Sequence, residues 1–277
     1  MPSTSEVRKA IHDRRAKWKA GKTSVSELAE PAFAGMLGLK VDPTDQEALV
    51  LASRAASTAS EALLPKTMDW RNRDGCDWIT PVRYQGACGS CVAFGVAAAM
   101  ESAVRISLNE PDLDIDLSEA DLFFCGGGHC AGGMVLQTAL AYAHRRGVGL
   151  ETDFPYGPAD IPCRPSEPAY RIDSWHALAS RAQRKRAVAE DGPIVGAMQV
   201  YEDFRYYKSG IYERTSGKLL GSHVVCMVGY DDVEGCWIAK NSWSARFGEA
   251  GYFRIKYGEC CIDDAFPSYG INVTKVI

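Results

Sequence analysis

The chain has 277 residues, 46% of them apolar and 24% charged, ordinary usage for a globular protein, so wholesale disorder is excluded. Its formal charge of −4 argues against a protein that coats nucleic acid, and no uninterrupted run of eighteen apolar residues marks a membrane span. The charge is uneven: residues 1–22 carry seven Lys/Arg against Glu6 and Asp13, net +5, which leaves −9 for the remainder. A basic arm of this kind can be held on an acidic body by attraction that salt weakens, or it can be a solvated tail. Ten cysteines are many for a reduced cytosolic enzyme and suggest disulfides and a secreted or periplasmic protein, yet the first twenty residues contain no apolar signal segment.

In chain order, residues 5–20 read as a helix opened by Ser3, Thr4 or Ser5 and stopped by Gly21. Residues 44–64 are Ala/Ser-rich, weakly amphipathic, and end at Pro65. Residues 1–64 therefore read as a leader and 65–277 as the main body. In the body, the apolar stretch from Cys91 predicts a buried helix, Leu117-Ser118-Glu119-Ala120 starts a short second one, and Met134–Arg146 forms a third. From about residue 194 the texture changes to strands separated by Gly and Asp turns. Helices first and antiparallel strands later predict an α+β fold of two lobes with a cleft between them.

The most informative heptad is Gln85-Gly86-Ala87-Cys88-Gly89-Ser90-Cys91. A thiol at a helix start feels the positive end of the helix dipole, and a nucleophilic thiol needs a base that is itself oriented. Of five histidines, His223 lies in an apolar strand where an unpaired imidazole would be costly, and Asn241 on a later strand can fix its tautomer. His223 and Asn241 follow Cys91 by 132 and 150 residues, the separation that a papain-like enzyme places between its Cys, His and Asn. The chain from Pro65 onward resembles the papain-like cysteine peptidases through the words PKTMDWR, QGACGSCVAF, LSEADLFFC, HCAGG, DFPYG, SHVVCMVGYD and KNSWSARFGEAGYFRIKYG. The short leader is similar to that of the bacterial, xylellain-like branch.

That resemblance implies a two-lobed papain-like fold and a cysteine endopeptidase acting on peptides or proteins, with no cofactor and no metal. It makes Cys91 the nucleophile, His223 its base and then acid, Asn241 the orienter, and Gln85 the side-chain donor to the oxyanion. The Cys91–His223 pair is then expected as thiolate and imidazolium near neutral pH, and Trp243 as a shield over the His–Asn bond. Gly132, Gly133, Met134, Val135 and Gly221 would line the peptide-binding side, with Asp264, Ala265 or Phe266 as pocket floor. It pairs Cys88 with Cys130 and Cys125 with Cys163, leaving Cys76, Cys226, Cys236, Cys260 and Cys261 unassigned. Val92 stands where the family has an aromatic residue. The leader is expected to lie in or across the cleft and lower activity. Three other readings use the same residues: a non-catalytic interaction protein whose cleft the leader fills, acyl transfer to an amine, and redox or zinc chemistry at Cys88, Cys91, Cys125 and Cys130. A basic cluster at Arg181, Arg184, Lys185 and Arg186 reads as an anion site or a solvated helix face.

Overall fold

The computed structural model describes residues 2–54, 64–164 and 166–276. Its largest helix, Cys91–Leu108, is apolar on nearly every face and buries fourteen of its eighteen residues. By length and composition it could cross a bilayer, but 78% of it is packed inside the protein, as expected of a core helix. Val92 is among its buried residues, so the missing aromatic is absorbed as core packing.

The elements in chain order are α1 (Thr4–Arg14), β1 (Trp18–Ala20), α2 (Glu30–Ala34), β2 (Leu39–Lys40), α3 (Pro43–Arg54) and β3 (Thr67–Asp69). They continue with α4 (Cys91–Leu108), β4 (Met134–Val135), α5 (Leu136–Arg145), β5 (Tyr170–Leu178), α6 (Arg181–Glu190) and β6 (Ile194–Tyr201). The last are β7 (Tyr207–Tyr212), β8 (Leu219–Asp231), β9 (Cys236–Lys240), β10 (Tyr252–Lys256) and β11 (Ser268–Lys275). The helices α4 and α5, with a short π-helical turn at Asp121–Cys125, form one lobe. The other is a sheet in the order β1-β7-β10-β9-β8-β6-β11-β5, with β3 on β8. This is the two-lobed α+β arrangement, but the sheet is not wholly antiparallel, since β10 pairs with β7 in parallel, and β5 is a strand ahead of residue 194, where none was expected. Disulfides join Cys88 to Cys130 and Cys125 to Cys163 within the helical lobe, and Cys91 is a free thiol. With Cys88 bonded to Cys130, CGSC is not a dithiol pair, and a zinc site made of these cysteines has lost three of its four ligands.

Several local expectations are corrected. The first helix opens with a capping box between Ser3 and Glu6 but stops at Arg15, whose left-handed φ of 54° ends it. Trp18–Ala20 is therefore not helix but an edge strand antiparallel to β7, pairing Trp18 with Gly210. The predicted third helix loses its first two residues to β4, which pairs in parallel with β2 of the leader. Residues 55–63 of the predicted 44–64 segment lie outside the described residues.

Attachment of the leader also differs from the electrostatic picture. Trp18 is 2% exposed and packs on Tyr212 and Tyr207, with ring centroids 5.1 and 6.3 Å away. Several of the leader's basic side chains find local partners: Lys9 pairs with Asp13, Lys22 with Glu27, and Arg8 bonds the Ala20 carbonyl, while Arg14 donates to the Arg214 carbonyl of the body at 3.3 Å. The leader-to-body ion pair among the described residues has the reverse polarity, Glu30 on Lys218, and is solvent-exposed, a type that adds little stability. Trp18→Ala is expected to weaken leader docking by about 3–5 kcal/mol, the cost of emptying a buried indole site. Limited trypsinolysis should then cut within residues 14–22 far faster than in the unaltered protein, while added salt should change that rate little.

Candidate active site

The first turn of α4 delivers Cys91 fully buried, with backbone N–H groups of Val92, Val224 and Gly38 near enough to its sulfur to favour the thiolate. Val224 comes from the central strand β8, so that strand carries the adjacent His223 to the same place. Strand β9 pairs with β8 through Cys226 and Lys240. Continued by one residue, this register sets Asn241 opposite Val225, on the face that His223 shares. The consequence is a hydrogen bond in which His223 Nε2–H donates to Asn241 Oδ1 at 2.8 Å, both residues being buried. Asn241 Oδ1 also accepts the Ser242 N–H, which fixes the amide's orientation and hence the ring's tautomer. His223 Nδ1 is left without a hydrogen-bond partner. The Trp243 ring lies 4.8 Å from the imidazole and is itself fully buried.

Gln85 is held from three directions. Its N–H donates to the Ser242 carbonyl at 3.0 Å, and its side-chain Oε1 accepts the Ser242 hydroxyl at 2.7 Å. Its Nε2 donates to the carbonyls of Cys88 and, at 2.9 Å, Met36 of the leader. Ser242 was not singled out in the sequence, although its place between Asn241 and Trp243 was available as a signal.

The leader segment Met36–Lys40 runs through this site. Its Met36 carbonyl takes the Gln85 amide, the Gly38 backbone lies near the Cys91 sulfur, and the Gly38 carbonyl accepts the Met134 N–H at 2.9 Å. Leu39 and Lys40 then pair with Met134 and Val135. At Gly38 the backbones of Gly89 and Gly133 come so close that a Cβ would overlap the Gly89 carbonyl. Leu37 lies against Gly221, and Phe33 sets its ring edge-on to Trp243 at 5.2 Å. Gly132 is backed by the His129 ring. Signals for this segment were present in AFAGMLGLK, where glycines interrupt an apolar run.

Enclosure alters the electrostatics. Burial pushes the Cys91 thiol up to about 11, against the lowering effect of the surrounding N–H groups. Burial likewise pushes His223 down to about 4, with the Asn241 bond opposing it. With the leader in place, burial favours the neutral forms of both groups and so works against the ion pair expected from the resemblance. Removing water from both groups disfavours their charged forms.

Two further expectations resolve outside the cleft. The basic cluster on α6 is committed to internal partners: Arg181 pairs with Asp263 at 2.9 Å and Lys185 with Asp232 at 2.7 Å. Arg184 is fully buried and donates to Ser268 Oγ and to the carbonyls of Asp263 and Phe266. These three cations are fold anchors, and Arg186 alone does not make an anion site. Arg184 thereby fixes the 263–266 turn, in which Phe266 is buried while Asp264 and Ala265 are exposed.

Residues 64–270 match the papain family cysteine protease domain. The chain belongs to the papain family of cysteine proteases. It is 34% identical over 222 residues to cysteine proteinase 1 of Entamoeba histolytica, covering 76% of this chain and 69% of that protein. Pro-cathepsin H of Mus musculus is 36% identical over 223 residues, and cathepsin S of Bos taurus 34% over 225; this chain covers 65% of the length of each. Among solved structures, a procathepsin B of Trypanosoma congolense superposes with a TM-score of 0.81 over 99% of both chains at 22% identity. A digestive procathepsin L2 of Tenebrio molitor gives 0.81 over 97% of this chain and 88% of that one at 24% identity. These two likenesses speak for the fold of the whole papain-family chain, leader included.

Proposed function

We propose that this papain-family chain is a cysteine endopeptidase held in check by residues 1–64 as a propeptide. The carrying observation is the buried His223–Asn241 hydrogen bond, with His223 on β8 next to Val224, whose backbone borders the free Cys91 thiol at the start of α4. Once the leader leaves, Cys91 Sγ passes its proton to His223 and attacks the scissile carbonyl, forming a carbon–sulfur bond. The oxyanion is received by Gln85 Nε2–H and the Cys91 N–H, in the place the Met36 carbonyl now occupies. His223 returns the proton to the departing amine, leaving a thioester, and then activates water to release the acid and restore the thiol. Asn241 keeps the ring aligned, and Trp243 keeps water from their bond. No cofactor enters these steps.

Peptide substrate is expected to lie along Gly132–Val135, hydrogen-bonded through the Met134 N–H that the leader now uses. Leu37 against Gly221 supports an apolar pocket there, selecting Leu, Val or Phe. The free Cys91 thiol favours catalysis over a purely interacting role. The reading is tested by a peptidyl epoxide that alkylates activated thiols, applied to the protein after leader displacement. One equivalent should be found on Cys91, hydrolysis should stop in proportion, and labelling should collapse in His223→Ala. Labelling spread over the other cysteines, or undiminished hydrolysis after labelling, would refute it.

A further inference from the structure

Tyr156 lies outside the four residues given chemical roles, yet it touches the machinery at two points. Its hydroxyl donates to the Gln85 carbonyl at 2.8 Å and lies 2.7 Å from Ser90 Oγ, whose proton it can then accept. The ring is clamped between Phe94, edge-on at 4.9 Å, and Phe124, stacked at 6.3 Å. Its own N–H is held by Glu151 Oε1 at 2.6 Å. The same 151–160 loop presses on the Gln85 loop a second time: Gly86 has φ +62°, and a Cβ there would strike the Pro158 ring. It reaches the neighbouring disulfide as well, through Asp160 Oδ1 accepting the Cys130 N–H.

The contact with Ser90 carries a second consequence. Ser90 is the N-cap of α4, where a serine hydroxyl ordinarily accepts a backbone N–H from the first turn. Here it makes no such bond, because it is turned to Tyr156. The Val92 N–H, a common target of such a cap, is instead among the backbone groups near the Cys91 sulfur. One phenol thus fixes the backbone from which the Gln85 amide is aimed and keeps a capping hydroxyl away from the donors around the nucleophile.

We infer that Tyr156 is a positioning residue for the oxyanion site, acting through Gln85 and Ser90 by means of its hydroxyl. The inference rests on the proposed roles of Cys91 and Gln85. Its effect appears in turnover more than in substrate binding, because the aligned donors matter most when negative charge develops on oxygen.

The test uses full-length protein carrying Gly38→Ala to open the cleft, with active sites counted by epoxide titration. Tyr156→Phe removes one oxygen and keeps the ring packing. It should lower kcat per titrated site about 5- to 20-fold while KM stays within twofold. In a Gln85→Ala background the same substitution should have less than half that effect on a logarithmic scale, since the two act as one unit. Ser90→Ala, which retains the phenol but frees one of its anchors, should lower kcat by a smaller factor of about 2–5. An unchanged kcat in Tyr156→Phe, or an equal loss with and without Gln85, overturns the inference. Failure of the underlying reading shows separately, as hydrolysis that survives in Cys91→Ala.

Discussion

Full-length protein carrying Gly38→Ala is expected to hydrolyse an unstructured peptide about 10- to 100-fold faster than the unaltered chain. The added methyl has no room between Gly89 and Gly133, and backbone atoms, unlike side-chain ends, cannot swing aside. Overpacking of this kind costs about 1–3 kcal/mol, and about 1.4 kcal/mol is a tenfold change in an equilibrium. The cost falls only on the leader-occupied state, so the population with an open cleft rises by that factor. A chain beginning near residue 65 sets the ceiling for the comparison. The covered thiol, raised to about 11, is protonated throughout the neutral range and ionises only as pH climbs towards that value. Alkylation of Cys91 in the unaltered chain should therefore be slow at pH 7, and Gly38→Ala should accelerate it in step with hydrolysis. Equal hydrolysis rates in the two proteins would remove the leader's inhibitory role and leave it a structural strap.

His223→Ala in the opened protein is expected to lower turnover about 10³- to 10⁴-fold, the upper part of the range for losing a positioned acid–base group. In the proposed mechanism the imidazole takes the thiol proton and later protonates the leaving amine; the other group bonded to Asn241 Oδ1, the Ser242 N–H, cannot serve in its place. Epoxide labelling of Cys91 should fall in parallel at pH 7 and recover as pH approaches the pKa of an ordinary free thiol. Circular dichroism separates this outcome from unfolding. A loss below tenfold, with labelling intact, would assign the proton transfers to another residue.

The body of the fold was legible because its signals are local and strong. The apolar α4 sequence, the Gly/Asp-punctuated strands and the heptad ending at Cys91 each point one way without tertiary help. The leader was read less well for two physical reasons. Residues 5–20 contain good helix formers throughout, so only the left-handed turn at Arg15 and the pairing of β1 with β7 reveal where the helix stops. Its basic charge suggested electrostatic docking, whereas the attachment is by a buried indole and main-chain pairing, terms that net charge does not report. In the cleft, Gln85, Cys91, His223 and Asn241 are linked by sequence words, but the burial that disfavours a charged pair comes in part from Met36–Lys40, a segment far upstream of Cys91 in the sequence. Tyr156 and Ser242 act by hydrogen bonds to main-chain and amide groups, and residue type alone does not announce such partners.

The segment from Met36 to Lys40 is joined to the body by the same polypeptide that it obstructs. An occluding strand supplied in this way has a local concentration set by tether length, not by how much protein is in solution. Dilution, which dissociates a separate inhibitor, leaves this one seated; an exogenous peptide would have to outcompete a neighbour that never diffuses away. Release is accordingly a first-order event, governed by strain within the strand or by scission of the tether, and its rate should be the same at nanomolar and micromolar protein unless one molecule cuts another.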